Sequence, residues 1–241
     1  MLSTFIKHEL KNILREKMTV VMLIYPLILG GVGRLLVHQE IVEGQGIGIT
    51  ALLMTLFAGF IFGAMAGFSL LDDRDDQVLS SIQISPVPVQ WYIWFKIIFA
   101  FILAIFAGLF MILFTDVLEL SFGHVLLLTT LSALQTPIVA FFINAFSQNK
   151  VEGFVTMKGF GFTLLFPVAG FFFTDAVEWV FGIAPAHWAA KAVQYSLMEP
   201  LIDMGMAEMN LGFYQYIGIG FIYNLVLVAV AYNFFRKKND L

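Results

Sequence analysis

Five or six apolar stretches, each long enough to cross a bilayer, fill most of this 241-residue chain and decide its class. About 20 residues at 1.5 Å rise cover the roughly 30 Å hydrocarbon layer. No water is available there to solvate bare amides, so such stretches become helices. Charged residues make up 12% of the sequence, where soluble domains carry about 25%. With no long polar stretch, a single membrane domain over residues 1–241 is expected. Its function must then be exercised within the membrane or through a partner.

Spans are expected at about 19–37, 47–71, 92–115, 122–146, 154–174 and 215–235. Residues 175–200 are apolar only in pieces, are broken by Gly182 and Pro185, and carry Asp175, Glu178, His187 and Lys191. That pattern predicts a re-entrant hairpin of short helices dipping into the outer face, with no seventh crossing. The fold class is thus an all-α integral membrane protein with six transmembrane helices. Basic residues orient it. With the N-terminus inside, Lys7, Lys11, Arg15, Lys17, Arg74, Lys96, Lys150, Lys158, Arg236, Lys237 and Lys238 lie on the cytoplasmic side, and only Arg34 and Lys191 lie outside. The positive-inside rule favours that arrangement, a multi-pass protein of the cytoplasmic membrane with both termini in the cytoplasm.

Residues 1–18 interleave charges with Leu2, Phe5, Ile6, Leu10, Ile13 and Leu14 at helical spacing, which is an amphipathic pattern and not the layout of a signal peptide. A helix of this kind lies in the headgroup plane as an elbow feeding the first span. Cysteine is absent from the sequence, which excludes disulfides, thiol catalysis and Cys-ligated metals.

The first inner loop, over 72–90, opens with Asp72, Asp73, Asp75 and Asp76, continues with Val78, Leu79 and Ile82 on one helical face, and stops at Ser85-Pro86. An acidic run of this kind is ordinarily a solvated face. Its oxygens also suit a hard cation, but no Asp-x-Asp-x-Asp-Gly loop accompanies them. A short helix on the cytoplasmic side is well suited to a groove on a soluble partner. The second inner loop carries Lys150, Glu152 and Lys158, readable either as interfacial anchors or as partner contacts. Gly59, Gly63 and Gly67 share one helical face, a contact motif that serves either packing within the chain or a dimer. Pro26, Pro137 and Pro167 each remove a backbone donor inside a span. The spans are otherwise nearly free of ionisable residues, with Arg34 at an outer end and Gln135 and Asn144 expected in interhelical hydrogen bonds. That inventory suits an amphiphilic or apolar cargo.

Taken in order, the basic amphipathic N-terminus, the acidic loop ending Ser85-Pro86-Val87, Lys96 at the start of span three, Asn149-Lys150-Val151-Glu152-Gly153 between spans four and five, and Pro185-Ala186-His187-Trp188 in a broken outer segment carry a family resemblance. The chain resembles, over its whole length, the membrane subunit of an ATP-binding-cassette exporter of the type-2 permease class. The resemblance implies a pair of permease chains, identical or different, with the substrate moving between them. It also implies that the 72–86 loop is a coupling helix seated on a nucleotide-binding ATPase subunit, which would bind ATP and Mg. No Gly-x-x-x-x-Gly-Lys-[Ser/Thr] run is present here, so nucleotide is not expected to bind this chain, nor any cofactor or metal.

Two rivals stand beside this reading. One is a channel or membrane scaffold that needs no ATPase. The other is an intramembrane enzyme built on His38, His124 or His187 with Asp116, Asp175 or Glu178. Against the enzyme, His8-Glu9-Leu10-Lys11-Asn12 lacks the second histidine of a zinc-protease motif, and no Gly-x-Ser-x-Gly run is present.

Overall fold

A computed structural model describes residues 2–84 and 86–239 of the chain, with side chains described from Phe5 onward. The expected Ser85 contact lies outside the described residues. Six helices are long and apolar enough to cross a membrane: Lys17–His38, Gln45–Asp75, Val89–Thr115, Phe122–Phe146, Lys150–Gly170 and Phe213–Lys238. No strand occurs among the described residues. In chain order the elements are α1 (Leu2–Arg15), α2 (Lys17–His38), α3 (Gln45–Asp75), α4 (Val78–Gln83), α5 (Val89–Thr115), α6 (Phe122–Ala133), α7 (Gln135–Phe146), α8 (Lys150–Gly161), α9 (Leu165–Gly170), α10 (Glu178–Phe181), α11 (His187–Asp203) and α12 (Phe213–Lys238). The fourth span is α6 continued by α7, and the fifth is α8 continued by α9 through a 3₁₀ turn at Phe162–Leu164.

Both interruptions follow from proline. Pro137 has no N–H for the carbonyl of Ala133, and the helix changes there. Pro167 likewise leaves the carbonyl of Thr163 without its helical donor, and the chain tightens into the 3₁₀ turn around that residue. Pro26 sits inside α2 without interrupting it.

At the centre α3 packs along α7 with α5 against its other side. The contact of α3 with the fourth span, α6 and α7 together, is parallel and in register. Ser132 Oγ donates to the carbonyl of Thr55 at 2.5 Å, Thr136 Oγ1 to that of Gly59 at 3.1 Å, and Asn144 Nδ2 to that of Gly67 at 2.9 Å. Each pair is separated by 77 residues. A constant offset means that both helices run the same way and rise in step. The close approach depends on the glycine face. A Cβ on Gly59 would lie 2.2 Å from the Ser132 carbonyl oxygen, and one on Gly63 would lie 2.8 Å from the Val139 Cβ. Gly59, Gly63 and Gly67 therefore serve packing within the chain. Asn144 makes the interhelical bond expected of it, while Gln135 reaches only Ser132 of its own span.

The peripheral spans α2, α8–α9 and α12 leave most of their surface outside the bundle. The segment between spans five and six is more helical than the sequence pattern predicts. α10 is a single turn, but α11 runs for 17 residues, and its His187–Gln194 half is buried. Packing against α3, α6, α9 and α12 supplies what the broken hydropathy pattern lacks.

Candidate functional site

The last turn of α3 is where the polar chemistry of the basic end of the bundle converges. Successive helical residues project about 100° apart, so Asp72, Asp73 and Arg74 leave the helix in three directions. Asp73 pairs with Lys96 of α5 and accepts from the Tyr92 hydroxyl at 2.9 Å. Lys96 also faces Glu9 of α1, at 3.7 Å. All three charges are buried, with Glu9 at 6%, Asp73 at 8% and Lys96 at 2% exposure. Asp72 turns to Lys150 at the start of α8, at 2.8 Å, and Lys150 also pairs with Glu16 at the corner between α1 and α2. Arg74 reaches the end of the fourth span, donating to the carbonyls of Ser147 at 3.1 Å and Asn144 at 3.3 Å. Those carbonyls lack helical donors, and the guanidinium supplies them.

One short turn thus fastens five elements, α1, the α1–α2 corner, α5, α7 and α8. Glu16, Asp72, Asp73 and Lys150 line a cavity of about 490 Å³ with Asn12, Arg15 and Thr19. Charge within the cluster is uneven. Lys96 stands between two carboxylates and lies against Asp73, so Glu9 is the surplus anion. Burial raises the Glu9 carboxyl above its ordinary value, Lys96 opposes that, and Asp73 adds to it. Glu16 goes the other way. Burial pushes its pKa up, but hydrogen bonds from Lys150 and Thr19 outweigh burial and hold it below the ordinary carboxylate value.

The structure divides the acidic run. Asp72 and Asp73 point into the protein, while Asp75 and Asp76 are exposed. Gln77 takes the left-handed conformation (φ 57°), and α4 leaves from it. Val78, Leu79 and Ile82 are half-buried against the chain itself, and Val78 lines the cavity. The outward surface of the loop is Asp75, Asp76, Ser80, Ser81, Gln83, Ile84 at 90% exposure, and Pro86. In the second loop only Lys150 joins the cluster. Glu152 accepts from the Gln148 backbone N–H at 2.8 Å while Asn149 caps α8, and Lys158 is exposed two turns along that helix.

Sequence reasoning missed the inward role of Glu9, Asp73 and Lys96, because an acidic cluster beside a basic helix reads as surface on both counts. The signal lay in Lys96. It is a lone cation at the start of an apolar span, and such a charge needs a partner. A second buried network, at the opposite end, was also unexpected. Lys191 and Glu178 pair at 2.6 Å with both side chains almost fully enclosed. Lys191 further donates to Gln194 Oε1 at 2.6 Å, and the Tyr216 hydroxyl donates to Glu178 at 2.8 Å. Arg34 donates to the Phe114 carbonyl at 2.7 Å and so ties α2 to the end of α5. His124 bonds the hydroxyls of Ser121 and Tyr214. Among the described residues no three His, Asp or Glu side chains are grouped to hold a metal ion.

Residues 9–232 match the family model of Rv2686c-like fluoroquinolones export permease proteins. Two curated relatives from Mycobacterium tuberculosis are similar to the chain. They are the fluoroquinolones export permease protein MT2760 of strain CDC 1551 / Oshkosh and the protein of that name, Rv2686c, of strain ATCC 25618 / H37Rv. Each is 23% identical over 250 aligned residues, covering 99% of this chain and 95% of the relative. The match takes in all six spans, the turn that fastens them and α4. With its six membrane-length helices, the chain belongs to the family of Rv2686c-like fluoroquinolones export permease proteins and is a multi-pass membrane permease of the export type.

Proposed function

We propose that this permease is worked by a separate nucleotide-binding ATPase seated on α4 and the adjoining Asp75-Asp76 edge. The ATPase binds ATP and Mg and delivers its motion by contact. One observation carries the reading: α4 hangs from the only turn that fastens α1, α5, α7 and α8 together among the described residues. A push there reaches four elements at once and moves them as a body. This face is the cytoplasmic one, a reading supported by the basic residues gathered at that end, Arg74, Lys96, Lys150 and Arg236 to Lys238. A second permease chain completes the conduit, in keeping with the apolar faces that α2 and α8–α9 turn outward. The relatives' names supply the cargo class. It is an amphiphilic molecule with an aromatic body, leaving across the cytoplasmic membrane. The chain is not itself an enzyme.

The test is reconstitution with the ATPase that co-purifies from native membranes. Replacing Asp75 and Asp76 by lysine is expected to abolish permease stimulation of ATP hydrolysis and leave thermal stability unchanged. Undiminished stimulation would refute the docking assignment. Transport by the chain in vesicles without any ATPase would favour the channel reading.

A further inference from the structure

Spans five and six both lean on span four but barely touch each other. Between them opens an apolar groove of about 280 Å³ with Phe142, Phe146, Phe160, Leu227 and Phe234 on its walls. Its roof is the turn at Ile183–Pro185, whose carbonyls accept from the Tyr223 hydroxyl at 2.6 Å and Asn224 Nδ2 at 3.1 Å. Both of those carbonyls are therefore satisfied from α12. Phe146, Ile183 and Phe234 at the rim are all more than half exposed.

The α12 wall continues past the groove. Leu227, Val230, Ala231 and Phe234 line it at helical spacing, and the next positions on that face are Lys237 and Lys238. Both lysines are exposed. At 1.5 Å per residue the groove runs roughly 10 Å along α12, and the lysines stand about 6 Å beyond it. Together these lengths come to about one leaflet, half of the roughly 30 Å hydrocarbon layer.

The geometry points to a lipid site: an anionic phospholipid of the leaflet at the basic end, one acyl chain in the groove and its headgroup at Lys237 and Lys238. Charge decides the class of occupant. A neutral lipid fills the groove equally well but gains nothing from two ammonium groups at its mouth, whereas a phosphate with a net negative headgroup does. Depth decides between a chain and a compact ring system. The groove is a slot running from the rim toward the membrane middle, closed at the top by the Ile183–Pro185 turn. A lipid held there wedges span five away from span six and sets their spacing. This site does not depend on the ATPase reading and needs no second permease chain.

The full chain is placed in nanodiscs of equal phosphatidylglycerol and phosphatidylcholine, extracted, and its retained lipid counted by native mass spectrometry. Phosphatidylglycerol is expected to be retained in preference. Lys237→Gln and Lys238→Gln should each reduce that preference about fivefold. Neither lysine packs in the core, so both variants keep the fold. Ala231→Phe fills the groove and should strip the retained lipid of either kind, with helical content by circular dichroism unchanged. Equal retention of the two lipids by the wild-type chain would overturn the proposal. So would full retention by Ala231→Phe, or loss of self-association in that variant with its lipid still bound, which would give the groove to a second copy of the chain.

Discussion

Replacing Asp73 by alanine isolates the cluster at the end of α3. Lys96 is 2% exposed and has two anionic partners, Asp73 in direct contact and Glu9 at 3.7 Å. Removing Asp73 leaves the ammonium buried with the more distant carboxylate and also takes the acceptor from Tyr92. Breaking a buried pair by deleting one member costs about 3–5 kcal/mol. Glu9 returns part of that, because an ion pair near 4 Å at an effective dielectric of 20 gains about 4 kcal/mol before desolvation. The expected loss for Asp73→Ala is thus at the lower bound, about 3 kcal/mol. Lys96→Met alone leaves two carboxylates facing each other and should cost a similar amount. The double variant removes the stranded ammonium but leaves Glu9 buried without its cation, and should cost about 2 kcal/mol less than the two single changes added together. Equilibrium unfolding in mixed micelles, followed by tryptophan fluorescence, measures all three. Strict additivity, or an Asp73→Ala effect under about 0.5 kcal/mol, as for a surface residue, would refute the burial argument.

Five other outcomes follow from the same geometry. Gly59→Ala should destabilise by about 1–3 kcal/mol, since the new methyl meets the Ser132 carbonyl. Gly31→Ala, with nothing within 4 Å of the added Cβ, should gain about 0.5–1 kcal/mol in the same unfolding assay. The raised Glu9 pKa means that its contribution to α1 docking is fullest below its ordinary value of 4.5 and is lost as pH rises through the folded value. Hydrogen exchange of α1 should therefore slow in Glu9→Gln relative to wild type at pH 7, with the difference closing near pH 4. Glu16 has the opposite sign. Its contribution is held above 4.5 and lost as pH falls through the lowered folded value, so Glu16→Gln should speed exchange at the α1–α2 corner at pH 7. At the far end, Lys191→Met should strand Glu178 and destabilise by about 3 kcal/mol, with Lys191→Met/Glu178→Gln recovering most of it.

The spans were legible because apolar length alone sets them, and the expected 122–146 span coincides with Phe122–Phe146. The others run two to four residues further at their starts, to Lys17, Gln45, Val89, Lys150 and Phe213. Hydropathy falls at a charge, but the backbone continues in helix wherever that charge finds a partner inside. Lys150 is the plainest case, paired with Asp72 and Glu16. The glycine face was legible as a contact, yet its partner was not, because a helix pair related by 77 residues leaves no local trace. The acidic loop was legible as a unit and misleading as one. Asp72 and Asp73 differ from Asp75 and Asp76 only in the angle at which the helix delivers them.

The parallel register of the second and fourth spans has a mechanical corollary. Two rods clipped carbonyl to hydroxyl or amide at three successive levels cannot slide or splay without breaking those clips in hydrocarbon, where no solvent replaces them. They form a keel. Whatever displaces the end of the second span therefore carries the fourth with it, at an unchanged tilt between the two.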